Sequence, residues 1–554
     1  MNRPSIERFA RRLALAAVCF APAAPALAQE SAAWRPLFNG RDLDGWAMTG
    51  PGEFRVEDGA LVSYGGMGLL WHTRETFGDC EIKVVFTTQR DNDNSGVFIR
   101  IKDRPDGPWF AVHNGYEVQI DNGGDDAHRT GALYSLTRVK ERVVTRAGEP
   151  VEMLIRLQGD KTVVHVNGTL VTEYRERQPV PERRASSEPE RGWRPNEGYI
   201  GLQNHDRRSN VAFKEVSVRP LPAERVPGEV WGRIESPESL GWSSEGLAAA
   251  RAYSETIDTA GVMLVTDGAV LDRWGEIERK FSTHSIRKSF LSALYGVFWR
   301  EGKIDVTKTL AELGIDDNEP SLTEIEKRAT VHDLLKARSG VYHPALAETT
   351  NMAAAKPERH SREPGTFWYY NNWDFNALGT IFNQMTGSDL FVEFERRIAE
   401  PIGMEDFDRQ SDTRYQRGRQ SIHPAYPFQM TARDMARFGL LMLREGRWAG
   451  EQIVPSQWVH ESSTPYSRAI SHNDGTDVGG YGYMWWIAVG GNHYPGVSLP
   501  DGTFSARGVG GHAIVVIPAL DLVVVHRVNT SAGGNAVSGA EMGELLRIIL
   551  DAKK

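Results

Sequence analysis

Ser285-Ile286-Arg287-Lys288 places a hydroxyl and an amine three residues apart. If the stretch is helical, the two side chains lie next to each other on one face. A serine hydroxyl is a poor nucleophile until a neighbour accepts its proton. A lysine amine can accept it once partial burial and nearby positive charge lower its pKa. The motif alone is common, and a serine on a surface turn explains it equally well. Two further segments follow in order. One is the aromatic stretch Trp368-Tyr369-Tyr370-Asn371-Asn372-Trp373, which contains Tyr370-x-Asn372. The other is Gly508-Val509-Gly510-Gly511-His512, which runs into the apolar strand Ala513 to Ile517.

The elements needed to position these residues are visible in the pattern. After Ser285, apolar residues at Ile286, Phe290, Leu294 and Val297/Phe298 repeat at the helical period. Leu247 to Ile257 reads as an amphipathic helix with Ser244 as its cap. Gly261 to Val265 and Ala269 to Trp274 flank Thr266-Asp267-Gly268 and read as a hairpin. Ala513 to Ile517 and Leu522 to His526 are continuous apolar runs, the mark of strands covered on both faces. Glu541 to Leu550 closes the chain as a helix. This half is mixed α and β around an antiparallel sheet.

The order S-x-x-K, Y-x-N, then a glycine-rich turn beside a strand resembles the serine β-lactamase and penicillin-binding-protein-like hydrolases. The nearest likeness is to the class C type and its esterase, D-aminopeptidase and amino-oligomer hydrolase relatives. Thr330 to Gly340, Thr431 to Gly439 and Gly482 to Trp486 match the same group. The resemblance implies that Ser285 attacks an acyl carbonyl and that Lys288 and Tyr370 share the proton transfers. Asn372 would orient substrate or Lys288. The Ser285 amide and one from the turn at Gly510, Gly511 and His512 would form the oxyanion hole, each donor worth ~3 kcal/mol. The third motif departs from Lys-Thr-Gly: the matching triplet reads Val509-Gly510-Gly511, and Arg507 or His512 would have to stand in for the lysine. That favours an ester or amide of a less acidic substrate over a β-lactam. His512 reads more readily as a structural residue at a strand start than as a catalytic one. A β-lactamase or D-peptidase remains an alternative.

The first half has a different grammar. Trp34 to Leu221 holds short β-branched or alternating runs, such as Cys80 to Phe86 and Ser95 to Arg100, separated by Asp, Asn and Gly turns. Asn167-Gly168 between Thr162 to Val166 and Thr169 to Val171 is a hairpin signal. Many short strands at regular spacing imply a sandwich. Phe38 to Trp46, Asn94 to Arg100, Gly115 to Ile120, Thr130 to Tyr134 and Gly198 to His205 together resemble the 3-keto-disaccharide hydrolase domain, which implies a concanavalin/laminarinase-like jelly roll. Arg100, Glu117 and Gln119 alternate along strands, would face one side and would suit sugar hydroxyls. Glycoside hydrolysis commonly needs two spaced carboxylates; Glu117 is one candidate and Asp121 stands at the adjoining strand end, and structural ion pairs would account for these residues as well. Gln178 to Pro195 reads as an exposed loop.

The chain has 554 residues and a formal charge of -9, with no basic footprint for nucleic acid. Arg3, Arg8, Arg11 and Arg12, the apolar run Leu13 to Phe20 and Ala26-Leu27-Ala28 read as a secretory signal cleaved after Ala28. Losing its four arginines and one glutamate takes the net charge from -9 to -12 and leaves Cys80 as the only cysteine. The expected organisation is a signal over 1–28, a β-sandwich over 29–221, a linker over 222–236 and an α+β hydrolase domain over 237–554. The expected place is the periplasm or the exterior, with no membrane span. The expected substrate is a small or glycan-linked ester or amide, with carbohydrate as a partner of the sandwich. The rival reading makes the sandwich the active, glycoside-hydrolysing unit. Asp91 to Gly96 opens like a calcium loop but lacks the closing Glu; no metal or cofactor site is expected.

Overall fold

A computed structural model describes residues 32–471 and 475–554. The expected signal, with its cut after Ala28, lies outside the described residues.

The first half is an antiparallel sandwich. One sheet runs in the order Thr169–Arg175, Lys161–Val166, Val151–Gln158, Cys80–Thr88, Val211–Pro220, Ala60–Tyr64, Glu53–Glu57, with Arg35–Pro36 pairing to Val211–Pro220. The other runs Trp46–Thr49, Gly68–His72, Tyr199–Asn204, Ser95–Ile101, Tyr116–Ile120. Alternation decides what goes inside. Ile82, Val84 and Phe86 face Val118, Ile120, Ile200 and Leu202 across one shared core. The expected hairpin forms at Asn167-Gly168, where both residues have positive φ, 48° and 79°, as a tight right-twisted turn requires. Gln178 to Pro195 is less free than its composition implies. Arg194 is buried and donates to the Gly115 carbonyl at 3.1 Å, and Arg191 reaches Ser135.

The second half is built on an eight-stranded antiparallel sheet whose order begins Ala269–Gly275, Thr259–Thr266, Leu522–Val528, His512–Ile517, Phe504–Gly508. The apolar runs near the C-terminus are its central strands, and they are covered on both faces. Ile514, Val516, Val523 and Val525 join the large core on one side. Ala513, Val515, Leu522 and Val524 join a smaller core on the other, under the helices Ser244–Ser254 and Gly539–Asp551. Ser243, not Ser244, caps the first of these, accepting from the Gly246 amide. The Arg287–Arg300 helix is buried around its whole circumference from Arg287 to Phe298, not along one stripe. It runs through the middle of its lobe, against Asn372–Thr386 and Leu390–Phe394.

The two halves are joined by polar contacts. Glu445 accepts from Lys161 at 3.1 Å and Arg175 at 2.9 Å, and Arg447 pairs with Asp79. The segment between the halves lies along the second one, where Arg437 donates to the carbonyls of Gly228 and Glu229. Among the described residues no helix is long and apolar enough to cross a membrane.

Candidate active site

Ser285 stands in a short 3-10 turn, His284–Ile286, that opens the Arg287–Arg300 helix. His284 holds φ at 47° and its ring contacts Thr530 Oγ1 at 2.9 Å. This left-handed residue bends the chain from the strand Phe281–Ser282 into the helix. The Ser285 amide is left in the first turn, where N–H groups have no partner inside the helix. One turn on, Lys288 is 1% exposed. Its Nζ reaches Ser285 Oγ at 2.9 Å, Tyr370 OH at 2.6 Å and Asn372 Oδ1 at 2.7 Å.

Tyr370 and Asn372 are delivered by the start of the Asn372–Thr386 helix. Asn371 caps that helix at the Trp373 amide and donates to Val341 O and to Asp374 Oδ1. Ser339 donates to the same fully buried Asp374. The Thr330 to Gly340 segment thus fixes where Tyr370 and Asn372 sit. Gly482 to Trp486 is fixed in turn, because Ser289 of the Arg287–Arg300 helix donates to the Met484 carbonyl at 2.8 Å.

Burial sets the protonation states. Removing Lys288 from water, with Arg287 beside it, lowers its pKa well below the ordinary lysine value. No carboxylate among the described residues pairs with it. Burial pushes the Tyr370 phenol up to about 12, against the opposing pull of a hydrogen bond with Ser285. At neutral pH the cluster therefore holds a neutral tyrosine and a lysine that sheds its proton easily. Of the two, the amine is the group able to accept a proton from Ser285.

The strand Phe504–Gly508 runs alongside. A Cβ on Gly508 would lie 2.7 Å from the Thr283 carbonyl, so only glycine permits this approach to the serine turn. The expected glycine turn follows it, but its amides are used differently from the expectation. Gly511 donates to the Gly508 carbonyl at 3.3 Å and is spent inside the turn. The Val509 amide meets no protein acceptor among the described residues, which moves the candidate oxyanion donor from Gly511 to Val509. Gly510 accepts from the Val537 amide. His512 packs its ring against His284, centroids 5.1 Å apart, and burial with Arg527 nearby drives its pKa down to about 2. It is a neutral packing residue, not a substitute cation.

Ser285, Tyr370, Arg507 and the turn open on one cavity of about 860 Å³. Sequence reasoning missed Arg287, Arg414 and Trp486, which also line it; Arg287 was in view inside the S-x-x-K motif.

The sandwich candidates separate. Glu117 and Gln119 share the outer side of their sheet, where Gln119 donates to Asn94 at 3.1 Å and Glu117 bonds to Gln203. Burial pushes the Glu117 carboxyl up to about 8, so it is protonated at neutral pH. Arg100 does not join them. A bulge between Phe98 and Ile101 inserts one extra residue opposite Ile200, which flips the alternation. Arg100 instead reaches the carbonyls of Gly159 and Lys161 on the other sheet. Among the described residues no cluster of three potential metal ligands exists.

The beta-lactamase family model matches residues 246–545. The chain belongs to the beta-lactamase family. A second model, the 3-keto-alpha-glucoside-1,2-lyase-like domain, matches residues 33–219, so this beta-lactamase-family chain carries such a domain ahead of its hydrolase half. Solved structures similar to the hydrolase half include a beta-lactamase from Mycobacterium bovis (18% identity, 56% of this chain and 100% of that one, TM-score 0.41). A penicillin-binding protein homolog from Caulobacter crescentus shares 15% identity over 56% of this chain and 99% of its own, TM-score 0.42. A family VIII carboxylesterase shares 16% over 56% and 96%, TM-score 0.42.

Proposed function

We propose that this chain is an exported serine hydrolase that cleaves an ester or amide through an acyl-enzyme on Ser285. The observation that carries the reading is the buried Lys288 amine, in contact with Ser285, Tyr370 and Asn372 together. Lys288 takes the Ser285 proton as Oγ attacks the carbonyl. The oxyanion is held by the Ser285 and Val509 amides. The tetrahedral adduct collapses, and the leaving alkoxide or amine takes a proton from Lys288 by way of Tyr370. Water then attacks the acyl-enzyme with the same groups reversed. Asn372 accepts from Lys288 and donates to the Ala347 carbonyl, which supports a role in orienting the amine. The absence of lysine from the third motif supports linear esters or amides over β-lactams. Ser285→Ala should abolish hydrolysis of a nitrophenyl ester and labelling by a fluorophosphonate while the melting curve stays in place; unchanged turnover would overturn the proposal.

A second reading gives the sandwich its own sugar chemistry. It is supported by the match of residues 33–219 and by Glu117, a buried carboxyl kept protonated at neutral pH as a general acid must be. Turnover of a keto-disaccharide by the Ser285→Ala chain, lost in Glu117→Gln, would support it.

A further inference from the structure

Gln178 to Pro195 displays a fixed indole. Trp193 is 57% exposed, yet the chain on either side of it is fastened. Arg191 donates to the Pro181 carbonyl at 3.1 Å and to the Pro189 carbonyl at 2.7 Å. Arg194 donates to the carbonyls of Gly192 at 2.7 Å and Glu190 at 2.8 Å, as well as to Gly115. Leaving so large an aromatic in water forgoes the gain from burying it. Holding it there in one place meets the ordering cost of binding before a ligand arrives.

Trp193 stands where the two halves meet. With Asp160 and Glu176 of the sandwich and Gln452 of the hydrolase half, it lines a cavity of about 350 Å³, the size of a small-ligand site. The indole and Glu176 also line an adjoining cavity of about 220 Å³, against Leu136 and Val180. Asp160 and Glu176 stand opposite each other one rung past the Lys161 and Arg175 pair, with the Glu176 amide donating to the Asp160 carbonyl at 3.0 Å. They are 5% and 4% exposed. Burial pushes the Glu176 carboxyl up to about 7 and raises that of Asp160, so charge on either is disfavoured. Arg177 and Arg300, one from each half, line the same cavity and already donate to main-chain carbonyls. Asp160 Oδ1 and Gln452 Oε1 are buried and meet no donor among the described residues.

These walls select by what they lack. Two carboxylates against two guanidiniums give neither an anion nor a cation the advantage. The unused groups are acceptors, so a ligand that fits brings its own donors. The indole asks for an apolar face beside them, one whose partly positive C–H bonds suit the negative face of the ring. A pyranose has both, hydroxyls around its rim and C–H bonds on its face. We propose that the seam between the two halves binds a neutral saccharide, with one ring laid on Trp193 and hydroxyls donating to Asp160 and Gln452. This site is separate from Glu117, which lies on the outer side of the other sheet, and it is built from both halves. It does not depend on the Ser285 chemistry.

The test uses the full chain, with neutral mono- and disaccharides of glucose, galactose, mannose and xylose as probes. At least one should bind saturably in calorimetry, with a Kd on the order of 1 mM or tighter. Trp193→Ala should weaken that binding about tenfold or more, and Trp193→Phe should weaken it less. Glu117→Gln and Ser285→Ala should leave it unchanged. Oxidation by N-bromosuccinimide, mapped by mass spectrometry, reads the site in the wild-type protein. The saccharide should protect Trp193 and leave Trp109, which is 49% exposed, as reactive as before. This arm decides the matter if Trp193→Ala does not fold. The proposal is overturned if no probe binds saturably, if binding survives Trp193→Ala intact, or if Trp193 is not protected. Binding lost in Glu117→Gln and kept in Trp193→Ala puts the sugar on the outer face and overturns it too. So does glycine protecting Trp193 where no saccharide does, because the charged groups would then select a zwitterion.

Discussion

Lys288→Met should separate catalysis from stability, because the amine serves the first and burdens the second. Methionine keeps a side chain of similar length and removes the group that touches Ser285, Tyr370 and Asn372. Loss of a general base costs ~10²–10⁴-fold in rate, about 3–5 kcal/mol of barrier. Stability follows from linkage. Burial puts the folded-state pKa of Lys288 well below its ordinary value. Between the folded and unfolded pKa values the unfolded chain binds a proton that the folded chain does not. Wild-type stability therefore rises with pH across that window, by up to ~1.4 kcal/mol per pH unit, and falls away on the acid side. Methionine removes this slope. It also leaves the Asn372 oxygen without its lysine donor, a cost of ~1–3 kcal/mol, but that cost shifts the curve without tilting it. The assay pairs ester hydrolysis with thermal melts followed by tryptophan fluorescence at pH 6, 8 and 10. The Tm of the variant minus that of the wild type should decline steadily as pH rises. A variant within tenfold of wild-type kcat/KM, or a Tm difference flat in pH, would refute the assignment of Lys288 as an easily deprotonated base.

Glu117→Gln should act in the opposite sense. The Glu117 carboxyl is pushed up to about 8 from 4.5, so the folded sandwich binds the extra proton and loses stability as pH climbs between those values. The limit is on the order of 5 kcal/mol. The amide should flatten that loss, which melts at pH 5 and pH 9 would read; equal pH dependence in both proteins would contradict it. Gly511→Ala places a Cβ 2.7 Å from the Val537 carbonyl on a residue whose φ is 95°. It should lower kcat about tenfold or more by displacing the turn that carries Val509, with little change in melting of the sandwich; wild-type kcat would show that the turn does not position the donor.

Much of the architecture was legible because it is written in periodicity. The apolar runs Ala513 to Ile517 and Leu522 to His526 announced strands covered on both faces, and Asn167-Gly168 announced its hairpin. Ser285, Lys288, Tyr370 and Asn372 were legible as a set because their segments occur in order. What escaped was non-local. The bulge that turns Arg100 away from Glu117 is decided by one extra residue against a strand a hundred positions later. The spending of the Gly511 amide depends on turn geometry that a run of glycines does not specify.

The sandwich also finishes helices that it does not contain. Pro455 has no side chain able to cap the helix Ser456–Ser462, and Asp160 of the sandwich accepts from its first amide at 3.1 Å instead. Arg177, also from the sandwich, donates to the carbonyls of Trp299 and Arg300 at the far end of the helix that begins at Ser285. Those two helices interlock, because Trp458 donates to the Ser292 carbonyl and fills the space that a side chain on Gly296 would need. The arrangement resembles a keystone more than a bead on a string. Exchanging the sandwich for another domain would strip both helix ends of their partners, so the hydrolase half has become a fold whose grammar is completed by its neighbour.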